Sequence, residues 1–102
     1  MVTLNTTFHV EEEVHLDFLA YLKKTYISEA KTEKLMSNAR LCKVHSHTVE
    51  KGHSYSVQFT FNNLDDLENW DKTTGKKLNE ELLQQFTDKI TGFSTLLEEI
   101  GL

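Results

Sequence analysis

From Val2 to Val10, apolar and polar residues take turns. Val2, Leu4, Phe8 and Val10 lie on one side of an extended chain, and Thr3, Asn5, Thr7 and His9 on the other. A period of two predicts a first strand with one buried face. The period then changes. Val14, Phe18, Tyr21, Leu22, Thr25 and Tyr26 recur at helical spacing. Glu11, Glu12 and Glu13 precede them and suit the positive end of a helix dipole, so a helix is expected to begin there. Residues 27–38 are less regular. They predict one or two further helical turns and a connection, with Leu35 and Met36 as anchors.

The stretch from Arg40 to Asn62 alternates again on both sides of Lys51-Gly52. Tyr55, Val57, Phe59 and Phe61 share one face, and Ser54, Ser56, Gln58 and Thr60 the other. A glycine at the second turn position suits a two-residue hairpin. That turn sets Thr48 opposite Tyr55, Ser46 opposite Val57, Val44 opposite Phe59 and Cys42 opposite Phe61. Asn63 then reads as a helix cap, with Asp65 and Asp66 in the first turn. Leu67, Trp70, Thr74, Leu78, Leu82 and Phe86 form the buried stripe of this second helix, with a bend or break expected at Gly75. A last strand is expected from Ile90 to Leu97. The order β-α-β-β-α-β is the ferredoxin-like split arrangement. It predicts one α+β domain over residues 1–102, with both helices on one face of a four-stranded antiparallel sheet.

The helices leave one sheet face open. On the register above that face carries Thr3, Asn5, Thr7, His9, Leu41, Lys43, His45, His47, Ser56, Gln58 and Thr60, with Lys43 its only fixed charge. In a chain with 26% charged residues a solvated face should hold more. A threonine-rich exposed face would satisfy strand preference alone. The lack of charge favours a covered face, and a homodimer is expected to form through it, using Thr7, His9, His45, His47, Gln58 and Thr60.

Composition narrows the chemistry. The formal charge of −5 argues against nucleic acid and anionic membranes as partners. Aromatics at Tyr55, Phe59 and Phe61 belong to the buried face, not to the open face that RNA-recognition modules use. Cys42 is the only cysteine, so no internal disulfide or cysteine-only metal site can form, and it is expected as a packed core thiol. There is no secretory leader pattern and no apolar run of membrane length, so a cytoplasmic address is expected. His45 and His47 are two apart on one strand. His9, on a strand that should not neighbour theirs, is too far to complete a site, and no carboxylate joins them. No metal and no cofactor are expected. No nucleophile–base spacing stands out, so catalytic residues are not assigned.

The stretches LNTTFHV, VHLDFLAYLKKTYI, GHSYSVQFTF, NLDDLENW and FSTLLEEI together resemble a family of small bacterial domains of unknown function with a dimeric α+β-barrel fold. The resemblance spans nearly the whole chain. Asn5, His15, Phe18, Tyr55, Leu67 and Thr95 stand at its motif positions. This chain has Tyr26-Ile27-Ser28 where that family usually has His-Ile-Pro, and Thr74-Gly75-Lys76 where it often has His-Ala-Pro. Those replacements argue against catalytic histidines there. Dimeric barrels also include cofactor-free monooxygenases and haem-degrading enzymes, but no histidine follows His53 to hold a haem iron. The resemblance implies the fold and a dimer rather than an activity. The expectation is a small homodimeric domain, non-enzymatic or of unassigned function, with a small molecule bound between sheet and helices near Asn5, His15 and Trp70. A dimeric-barrel enzyme, such as a cofactor-independent monooxygenase or an isomerase, is the alternative, and no motif decides between them.

Overall fold

The structure is a computed structural model, and it describes residues 1–45 and 51–102. Four strands form one antiparallel sheet: β1 (Val2–Val10), β2 (Met36–Lys43), β3 (His53–Phe61) and β4 (Ile90–Glu98). Their order is β2-β3-β1-β4, so β1 pairs with β3 and not with β2. The first helix occupies residues 15–30 and the second residues 64–86. Both cover one face, as the ferredoxin-like order requires. Among the described residues, no helix is long and apolar enough to cross a membrane.

The core lies between that face and the helices. Val2, Phe8 and Val10 of β1 meet Tyr55, Val57, Phe59 and Phe61 of β3, with Phe18, Leu22, Tyr26, Leu67, Trp70, Leu78, Leu82 and Phe86 above them. Each helix contains one wider, π-type turn, Leu22–Tyr26 in the first and Asp71–Gly75 in the second. The burial pattern explains both. Phe18, Leu22, Tyr26 and Ala30 are buried in three successive steps of four, which drift off a face of 3.6 residues per turn. Trp70 and Gly75 are both buried at a step of five. A turn with i→i+5 bonding keeps such residues in line. The break expected at Gly75 is therefore absent, and the helix runs through it.

The acidic stretch starts a short 3-10 turn, Glu12–Val14, and the helix proper begins at His15. The Asn63 cap is present: its Oδ1 accepts the Asp66 N–H at 2.8 Å.

The expected hairpin register is corrected. β2 begins at Met36 and ends at Lys43, with Ala39 opposite Phe59, Leu41 opposite Val57 and Cys42 opposite Ser56. Compared with the two-residue turn, the pairing has slipped by an odd number of residues, which exchanges the two faces. Ala39 and Leu41 now pack towards the helices and Cys42 sits on the open face. Met36 meets Phe61, and the register shifts between Met36 and Asn38. The earlier start brings Met36, Ala39 and Leu41 against the core, a better apolar set than Cys42 and Val44. Thr48 and Ser46 lie outside the described residues. Val44 and His45 lie past the end of β2, both exposed.

Candidate functional site

The open face carries Thr3, Asn5, Thr7 and His9 from β1, and Ser54, Ser56, Gln58 and Thr60 from β3. β4 adds Thr91, Phe93, Thr95 and Leu97, and β2 adds Arg40 and Cys42. Arg40, not Lys43, is the one fixed charge among these residues. Polar groups pair with each other across the strands. Ser56 Oγ donates to Asn5 Oδ1 at 2.5 Å, and the Thr3 and Thr60 hydroxyls meet at 3.2 Å. Phe93 is 66% exposed and Leu97 48%, both pointing away from the helices. Of the residues expected on this face, Thr7, His9, Gln58 and Thr60 are there. His45 is not, because β2 ends before it, and His47 lies outside the described residues.

Asn5, His15 and Trp70 are not brought together. Asn5 belongs to the open face, whereas His15 and Trp70 stand on the helix side. Trp70 is sealed in the core at 1% exposure, with its indole N–H donated to the Ala30 carbonyl at 3.0 Å. It fills the space between helix and sheet.

The space between sheet and helices opens elsewhere. The second helix does not reach over β4, so Gly92, Ser94 and Leu96 stay exposed although they face the helix side. An open groove of about 240 Å³ results, lined chiefly by Thr6, Phe8, Asn79, Leu82, Ile90 and Ser94. Its lining holds no titratable group. The Thr6 and Ser94 hydroxyls, 2.9 Å apart, supply its polar floor.

A second constellation lies at the N-terminal end of the first helix. The Glu11 N–H bonds the Lys89 carbonyl at 3.0 Å, and Lys89 Nζ pairs with Glu13 at 2.7 Å. Those contacts turn the chain sharply after β1. The hydrogen bond and charge of Lys89 hold the Glu13 carboxyl below its ordinary range. His15 thereby comes to rest over the start of β3, where His53 and Tyr55 both face the helices. The His15 and His53 rings stack with centroids 3.5 Å apart and planes 9° from parallel. His15 Nε2 meets the Tyr55 hydroxyl at 2.5 Å, and His53 Nε2 pairs with the Glu12 carboxylate. Burial of the His15 ring pushes its pKa down, and the charge of a protonated His53 pushes it further, while Glu12 opposes. The turn before His53 is fixed by Gly52, whose φ is +101°. A Cβ there would stand 2.5 Å from the Val10 carbonyl oxygen. By alternation His53 shares the side of Tyr55, but sequence reasoning did not join it to His15 and Glu12. Their separation in sequence hides the meeting, although the pairing of β1 with β3 could have suggested it.

This fold defines the class: a ferredoxin-like α+β domain. Solved structures of that shape are similar over nearly full length. One is an EthD family protein from Bacillus halodurans C-125, with a TM-score of 0.75 and 13% identity, covering 98% of this chain and 100% of that one. Another is an antibiotic biosynthesis monooxygenase, with a TM-score of 0.70 and 13% identity, covering 99% and 100%. A third is SnoaB, a cofactor-independent oxygenase from Streptomyces nogalater, with a TM-score of 0.72 and 15% identity, covering 99% and 94%. At such identities the likeness is one of fold. Residues 1–100 match the family described as Domain of unknown function (DUF4286), and the chain belongs to it. No curated protein matches the sequence.

Proposed function

We propose that residues 1–102 act as one cytoplasmic domain, a homodimer closed through the open sheet face, with a small apolar molecule held in the groove beside β4. The observation that carries this reading is the charge-poor face on which Phe93 is 66% exposed. Hydroxyl and amide groups can be buried there cheaply when each finds a partner or a water. Phe93 and Leu97 add apolar area that favours a covered state. A twofold interface needs only one self-complementary patch.

A dimeric-barrel enzyme is the second reading, and the oxygenases among the similar structures favour it. The uncharged groove offers no acid–base pair, which supports binding over proton-transfer chemistry. Native mass spectrometry of untagged protein tests the proposal. The expected species is a dimer carrying a small molecule that Ser94→Trp removes by filling the groove. A bare monomer at micromolar concentration contradicts it.

A further inference from the structure

We infer that Glu12, His15 and His53 form a binding site for a divalent transition-metal ion of the zinc class. The three come from the 3-10 turn, the start of the first helix and the start of β3. One nitrogen from each ring and one Glu12 oxygen lie within 4.8 Å of one another. Ligands on a single tetrahedral ion, at bond lengths near 2.1 Å, stand about 3.4 Å apart. The set therefore stands wider than a closed site, and it closes by side-chain rotation.

Two imidazoles and a carboxylate are a donor set that suits zinc and its neighbours. Three protein ligands leave a tetrahedral ion one open position for water or a ligand oxygen. The Tyr55 hydroxyl on His15 Nε2 is the kind of partner that orients a metal-binding ring through its other nitrogen. Charge divides locally: Glu12 favours a cation, and Lys43, opposite Tyr55 on β2, opposes it. The stacked rings point their in-plane lone pairs along parallel lines, so one ring must leave the stack to share an ion. His53 is the ring that can turn, because it lies at the rim with 24% of its side chain exposed. His9, on the open face, plays no part. His9 is held by Ser54 Oγ at 3.0 Å and the Lys51 carbonyl at 2.9 Å.

Zinc titration by calorimetry, and cobalt titration followed by visible absorption, test the site on untagged full-length protein. Saturable uptake of one ion per chain is expected, with the absorption of a tetrahedral cobalt centre. Glu12→Gln, His15→Ala and His53→Ala should each weaken binding by about tenfold or more. Glu12 is exposed, so Glu12→Gln tests the ligand set without risk to the fold. Absence of saturable uptake, or uptake that survives Glu12→Gln and His53→Ala, overturns the site.

Discussion

The indole of Trp70 lies across Gly75: a methyl group at that glycine would stand 2.7 Å from Trp70 Cζ3 and 2.7 Å from Asp71 Oδ1. Helix propensity alone predicts that Gly75→Ala stabilises an interior helical position by about 1 kcal/mol. The contact reverses the sign, because forcing atoms into a packed core costs roughly 1–3 kcal/mol. Gly75→Ala should lower the urea midpoint. A midpoint equal to or above that of the unmodified protein contradicts this packing.

Phe59 is at the centre of the sheet, paired with Leu4 on β1 and Ala39 on β2, and 2% exposed. Its ring meets Trp70 edge-on at 5.3 Å. Phe59→Ala removes that contact and leaves a cavity, at a cost of roughly 3–5 kcal/mol. Domains of this kind hold together by roughly 5–15 kcal/mol, so the variant should unfold at much lower denaturant concentration. An unchanged midpoint would refute the face assignment.

Tyr26 gives the fold an alkaline limit. Burial of its hydroxyl, helped by the charge of Asp71, pushes its pKa up from 10.0 to about 12. Below pH 10 both folded and unfolded chains keep the proton, so this group adds no pH dependence. Between the two values the unfolded chain ionises first, and rising pH favours unfolding. The loss should reach roughly 2–3 kcal/mol by the folded value. Tyr26→Phe should flatten it, since the hydroxyl makes only a long 3.5 Å contact to Asn79. Equal alkaline slopes for both proteins in urea titrations would show that other groups set the limit.

Where a stretch had one strong period, its structure was legible in advance. Val2 to Val10 and Tyr55 to Phe61 alternate cleanly, and the Asn63 cap precedes a regular apolar stripe. Strand β2 was harder to read. Leu41 competes with Cys42 and Val44, so either parity offers apolar residues, and only the match of Met36, Ala39 and Leu41 to the core settles the register. The same slip moved Cys42 outward and took Lys43 off the open face. Trp70 misled for another reason: its type suits a pocket wall as well as a core, and burial decided. The meeting of Glu12, His15 and His53 depends on a turn and a strand start from distant parts of the chain, which periodicity does not reveal.

The central claim is that the open sheet face is an interface between two copies. Gln58 and Thr60 stand on that face in the middle of the sheet, each paired with a β1 residue, Asn5 and Thr3. Carboxylates at both positions would meet their own copies across a twofold axis, and burying like charges together is costly. The deciding measurement is light scattering after gel filtration on the protein and on Gln58→Glu/Thr60→Glu. Twice the chain mass is predicted for the first, and a lower mass with an unchanged circular dichroism spectrum for the second. A wild-type monomer at micromolar concentration, or a double variant that stays dimeric, would contradict the account.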